Sequence, residues 1–227
     1  MAYPTILKKL LEELQKLPGI GAKTAERLVF HILKAPKDEV IALSEAIRMV
    51  KEKVRKCRFC FNITDEDPCM ICTDVSRDKS VLCIVEQPKD LLAIEKTGQF
   101  HGTYHVLMGR LAPLEDEHPE DLTLEPLLER IKESLRTKTP IKEVILATNP
   151  NLEGDTTSLY VQNLLKDFPV TVSRIARGIS SGSSIEFANP VILTDALMER
   201  KTLQHFTSAK NEHKIESQKL QEKGDIS

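Results

Sequence analysis

Apolar residues recur every three or four positions through the first 56 residues, and then the rhythm changes. Ile6, Leu7, Leu10, Leu11, Leu14 and Leu17 predict a helix over 5–17 with one apolar face, ended by Pro18. Ala25, Leu28, Val29 and Ile32 predict a second helix over 22–33, broken at Pro36. Val40, Ile41, Leu43, Ala46, Ile47 and Val50 predict a third over 38–56, with these residues turned inward. From residue 80 short apolar runs alternate with amphipathic stretches. Strands are predicted at 80–86, 104–108, 141–147 and 170–175, and helices at 90–96, 124–135 and 158–168. The segment 115–121, EDEHPED, reads as an acidic surface loop. Strands that alternate with helices predict a mostly parallel sheet covered on both faces. A Gly/Ser loop at 178–184 and a last helix near 193–203 follow. The tail from residue 204 is polar, has little to bury and is expected to be disordered. The chain carries no internal repeat.

Composition narrows the class. The hydrophobic fraction of 41% supports a packed core, yet no run of about eighteen apolar residues could span a bilayer. The start, MAYPTILKKLLEEL, interleaves charged and apolar residues, as an amphipathic helix does and a signal peptide does not. The expected location is the cytoplasm. The net charge of −2 hides an asymmetry: residues 1–60 hold 13 Lys+Arg against 7 Asp+Glu, so the head is basic and the remainder acidic. A basic head suits an anionic polymer, although any single lysine is more often just the solvated face of a helix.

Four of the five cysteines fall in two Cys-x-x-Cys pairs, Cys57/Cys60 and Cys69/Cys72. Two intervening residues let one tight knuckle offer both sulfurs to a single tetrahedral ion, and two facing knuckles complete a four-thiolate zinc site. A disulfide framework fits poorly, because the rest of the chain has only Cys83 and no secretory signal. Four thiolates leave no open coordination position, so the zinc is expected to be structural. Cys83, within the run 81–85, reads as a small hydrophobe in a buried strand.

The first two helices are joined by Leu17-Pro18-Gly19-Ile20-Gly21, followed by Lys23 and Arg27. This looks like a helix-hairpin-helix. Gly19 and Gly21 let the backbone turn with no side chain in the way, so the amides of the turn and of the next helix can meet a phosphate. Lys23 and Arg27 lie one turn apart on one face and could reach the same backbone. Such contacts read no bases, so the expected DNA binding is sequence-independent and salt-sensitive. The plainer alternative is a loop that only joins two packed helices.

Two acidic pairs stand near predicted strand ends: Glu86 with Asp90, and Glu153 with Asp155. Acids at the carboxyl edges of neighbouring parallel strands can converge in one crevice, and several there could hold Mg²⁺. Alternatively they cap helices, as Asp90 at a helix start would.

In order and spacing, LPGIGAKTAERLVFHIL, CRFC…CMIC, VLCIVEQPKDLLAIEKTGQFHGTYHVLMGRLAPLE, NPNLEGDTTSLYV and RIARGISSGSSIEFAN resemble the bacterial recombination mediators of the RecR family, over about residues 1–203. The resemblance implies an α+β multi-domain protein. A helix-hairpin-helix domain would occupy 1–56 and a four-cysteine zinc finger 57–72. An α/β Toprim domain, the module shared by primases and topoisomerases, would occupy 80–175, and a C-terminal assembly segment 176–203. It implies a non-catalytic DNA clamp or adaptor of the cytoplasm, at the nucleoid. Such proteins assemble as homo-oligomers, from dimers to tetrameric rings, and act with RecO and RecF to help load RecA onto single-stranded DNA. Lys23 and Arg27 would then face DNA, and Glu86, Asp90, Glu153 and Asp155 would lie at a partner surface or hold Mg²⁺. The competing reading is a Mg²⁺-dependent Toprim enzyme of nuclease or primase type. Where such enzymes carry Asp-x-Asp, this chain has Glu153-Gly154-Asp155, which speaks against catalysis. The C-terminal stretch also departs from the family pattern, reading Gly182-Ser183-Ser184-Ile185-Glu186-Phe187 and then Asn189-Pro190.

Overall fold

The structure is a computed structural model and describes residues 3–201; the predicted polar tail at 204–227 lies outside them. Three helices come first: α1 (Thr5–Gln15), α2 (Ala22–Lys34) and α3 (Lys37–Lys53). The two-residue strands β1 (Arg55–Lys56) and β2 (Ile63–Thr64) pair antiparallel, and the short α4 (Met70–Thr73) follows. The α/β part comprises β3 (Asp78–Val85), α5 (Pro88–Glu95), β4 (Gly102–Val106), α6 (Leu124–Ser134), β5 (Glu143–Ala147), α7 (Leu152–Leu165) and β6 (Thr171–Arg174). Its sheet runs in the order β4-β3-β5-β6, with β3 parallel to both β4 and β5. The chain divides between Ser173 and Arg174 into two compact units. In the second, α8 (Pro190–Met198) is capped by Asn189, whose side chain accepts from the Val191 N–H. Asn189 and Pro190 therefore start this helix three residues before the predicted 193.

Residue parity along β3 explains the two-sided core. Leu82 and Ile84 pack with Leu127 and Ile131 of α6 and with Val161 and Leu165 of α7. Cys83 and Val85 point the other way and pack with Leu91, Tyr104 and Val106. Cys57, Cys60 and Cys69 belong to this second cluster, so the cysteine clasp is part of the core. Cys83 is the small buried hydrophobe the sequence suggests, and burial pushes its thiol up to about 12.

Two expectations are corrected. The apolar residues of α3 do not turn inward. The helix buries none of its residues, and Ile41, Leu43, Ile47 and Val50 are 52–60% exposed. Periodicity identifies the face but not what covers it. The helix expected at 158–168 begins at Leu152, because Asn151 caps it by accepting from the Gly154 N–H at 2.9 Å. Gly154, between the two acids of the predicted second pair, is a tight-packing residue in the first turn. A Cβ there would stand 2.0 Å from the Asn149 carbonyl oxygen and 2.8 Å from Glu86 Oε1.

Candidate functional site

The clasp is built from two knuckles. In the first, the Phe61 N–H donates to the Cys57 carbonyl at 2.9 Å, and Phe61 turns the chain with φ of 62°. In the second, the Cys72 N–H donates to the Cys69 carbonyl at 3.0 Å at the start of α4. The knuckles bring Cys57, Cys60, Cys69 and Cys72 together, with all four sulfurs within 4.8 Å of one another. The Cys57–Cys72 Sγ separation is 3.9 Å and the Cys60–Cys69 separation 3.5 Å. A tetrahedron with Zn–S bonds of about 2.3 Å has S···S edges of about 3.8 Å, so the donor set fits zinc. None of the four is in a disulfide. Burial raises the Cys57 thiol, but the backbone N–H groups of Cys69, Cys60 and Phe59 outweigh it and hold the group at about 7. Cys60 is pushed far up by its hydrogen bond with Cys72 and by burial, and Cys69 rises to about 11, chiefly through burial. Without metal the four cannot all ionise together; a dication removes that conflict.

The clasp is seated on β4, the edge strand of the sheet. The Val106 N–H donates to the Cys60 carbonyl at 2.8 Å. Arg130 of α6 spans the same junction: its Nη1 donates to the Tyr104 carbonyl at 2.6 Å and to the Phe59 carbonyl at 3.2 Å. Burial holds the Arg130 pKa below its ordinary value and the four cysteines offset part of that, so all of them are within electrostatic reach of the guanidinium. Arg130 was not legible in the sequence, since nothing in its amphipathic helix marks it.

The second group of residues lies on α2. Gly19 has φ of +79° and makes the turn in the left-handed region. Gly21 does not share this conformation: its φ is −82°, and it is the N-cap residue of α2, where it offers no side chain to the first-turn amides. Lys23 and Arg27 are exposed on one face. The structure extends that face, since Lys23, Glu26, Arg27, Phe30, His31 and Lys34 line one shallow groove of about 520 Å³. His31 and Lys34 follow Arg27 at helical spacing, which the sequence already contained. Ala25 and Val29, on the opposite side, are the buried anchors of the helix.

The third group is the acidic crevice. Glu86 follows β3 and is only 2% exposed. Its two oxygens accept from the backbone N–H of Asn149 at 2.7 Å and from Asn149 Nδ2 at 2.5 Å. Asp90 is the reciprocal half of a capping box on α5, accepting from the Gln87 N–H at 2.9 Å. It therefore takes the capping role that was the alternative to metal binding. Glu153 and Asp155 are half-buried in the first turn of α7. Gly154, between them, packs against Glu86, but a cavity of about 390 Å³ at Glu86 is lined by Gln87, Lys89, Gly109, Arg110, Glu117 and Asn149 rather than by the other three acids. Among the described residues, the one group of three or more metal-type donors within reach of a common ion is the cysteine set.

A glycine-hinged basic helix, a four-cysteine clasp and a parallel α/β domain with an acid after its first strand together define a zinc-finger Toprim protein. Matches to known families agree segment by segment: the RecR helix-hairpin-helix over residues 7–51, the RecR four-cysteine zinc finger domain over 54–74 and the Toprim domain over 80–176. The chain is 50% identical over 194 residues to "Recombination protein RecR" of Rhodopirellula baltica, covering 86% of this chain and 95% of that one. It belongs to the RecR family. The zinc-finger match and the clasp geometry together make zinc the structural ion of the four cysteines. No helix among the described residues is long and apolar enough to cross a membrane.

Proposed function

We propose that this chain is a non-catalytic DNA-binding adaptor of recombinational repair. It works in the cytoplasm at the nucleoid, with RecO and RecF, to help load RecA onto single-stranded DNA. The observation that carries the DNA-binding part is the face of α2, where Lys23, Arg27, His31 and Lys34 line one groove directly after the Gly19 turn. The cations Lys23, Arg27 and Lys34 at that spacing suit consecutive phosphates, and uncapped first-turn amides suit a further one. The reading against catalysis rests on the acids: Glu86 is clipped by Asn149 and Asp90 caps α5. In this proposal Glu153 and Asp155, at the start of α7, contribute to a protein-partner surface instead of a Mg²⁺ site. The exposed apolar residues of α3, and separately Val191, Leu197 and Met198 of α8, support a homo-oligomer, from dimer to tetrameric ring.

Binding of the zinc-loaded protein to gapped DNA in Mg²⁺, followed by anisotropy across a salt series, tests the proposal. Lys23→Ala with Arg27→Ala is expected to weaken binding alike for all sequences and to flatten the log–log salt slope by about two units. No salt-sensitive binding by the wild type would overturn the DNA-binding reading. Nicking of DNA that Glu86→Gln abolishes would transfer the case to the Toprim enzymes.

A further inference from the structure

β4 is an edge strand by sheet order, yet all five of its residues are buried. An edge strand of that kind needs a cover for the peptide groups its sheet neighbour leaves free. Arg77 Nη1 donates to the Gly102 carbonyl at 3.1 Å at the start of the strand, and the first knuckle of the clasp together with Arg130 covers the rest of the edge. The Val106 N–H is taken by the Cys60 carbonyl, and two residues back along the same edge the Tyr104 carbonyl is taken by Arg130 Nη1. The same nitrogen holds the Phe59 carbonyl, inside the knuckle between Cys57 and Cys60. Arg130 and the half-buried Cys72 also line one cavity of about 390 Å³. Four thiolates around a dication leave a net charge of −2 in a core from which water is largely excluded, and a guanidinium beside them offsets it. Groups that hold and balance the ligands of a metal commonly change its retention by about 10- to 100-fold.

From this juxtaposition we infer that Arg130 is the positioning residue of the zinc centre, clamping the first knuckle to the open edge of the Toprim sheet and balancing the charge of the zinc-bound cysteines. The inference rests on zinc occupying the clasp. Zinc retention and the integrity of the β4 edge are then one linked property.

The test uses the full zinc-loaded chain, with its zinc content measured first. Release of zinc to a colorimetric chelator should be about 10- to 100-fold faster for Arg130→Gln than for wild type. Arg130→Lys keeps the charge but cannot span two carbonyls in the same way, so its rate should fall between. Urea midpoints of loaded and chelated proteins separate this role from a purely structural one. The Arg130→Gln loss should be larger in the loaded protein, whereas equal losses with and without zinc, or an unchanged release rate, would overturn the inference. Should Arg130→Gln not fold, wild-type hydrogen exchange decides: chelation should deprotect the Val106 amide, and protection that survives zinc removal overturns the coupling. A wild-type chain purified without zinc, and unable to take it up, would instead remove the zinc reading and this inference with it.

Discussion

Glu86 and Asn149 are joined by two hydrogen bonds that use both carboxylate oxygens, one from the Asn149 backbone at 2.7 Å and one from its side chain at 2.5 Å. Glu86 follows β3 and Asn149 follows the neighbouring β5, so the pair clips together the carboxyl ends of two parallel strands. The first acid of the Toprim signature is here part of the frame of the crevice. Asn149→Ala should leave a buried carboxylate short of a donor and destabilise the protein by about 3 kcal/mol. Urea denaturation reads this directly, and a loss below about 1 kcal/mol would mean that water replaces the Asn149 side chain without penalty.

Gly154 enforces the same arrangement from the other side. Its φ is ordinary, so the constraint is space: the added methyl of Gly154→Ala would sit 2.0 Å from the Asn149 carbonyl oxygen. Backbone must move, at a cost of about 1–3 kcal/mol, although alanine is the better helix former. A melting temperature that rises on this substitution would contradict the packing described.

Cys57→Ser should lower the zinc content from one ion per chain to near zero and loosen the segment from 55 to 74, because ligand and fold are coupled. Elemental analysis with far-UV circular dichroism checks both. Zinc retained at wild-type stoichiometry would mean that three sulfurs suffice.

Acid stability should depend on Glu95. Its carboxylate takes Arg77 Nη1 at 2.9 Å, Arg77 Nη2 at 2.5 Å and the Tyr104 hydroxyl at 2.7 Å, tying α5 to β4. Burial pushes Glu95 up, but the Arg77 and Tyr104 hydrogen bonds outweigh it and hold the carboxyl below the usual range. A carboxylate with a depressed folded pKa adds stability that is fully present above its unfolded value, about 4.3, and is lost as pH falls through the folded value. Glu95→Gln should therefore flatten the acid limb of stability against pH below about 4.5 and change its slope little at neutrality. An acid limb as steep as that of the wild type would assign the pH dependence elsewhere.

Local features of the fold were legible, and long-range pairings were not. The Cys-x-x-Cys spacing, the apolar run of β3 and the helical period of α2 each report on neighbours within a few residues, and the structure reproduces them. Asn149 stands 63 residues from Glu86, and Arg130 stands 71 from Phe59; no period connects such positions. The helix expected at 158–168 missed its first turn because the cap Asn151, in Asn149-Pro150-Asn151, is a residue type equally at home in turns. The inward reading of α3 failed for a related reason: an apolar stripe is visible in one chain, whereas its cover need not belong to that chain.

That stripe has a thermodynamic consequence. A helix that keeps Ile41, Leu43, Ile47 and Val50 in water leaves unspent a driving force of about 25 cal/mol for every Å² that a neighbour could hide. Any copy that covers it binds the folded chain and not the unfolded one, so folding and association share one equilibrium. The melting temperature of this chain would then be a function of its own concentration, climbing on enrichment and sagging on dilution.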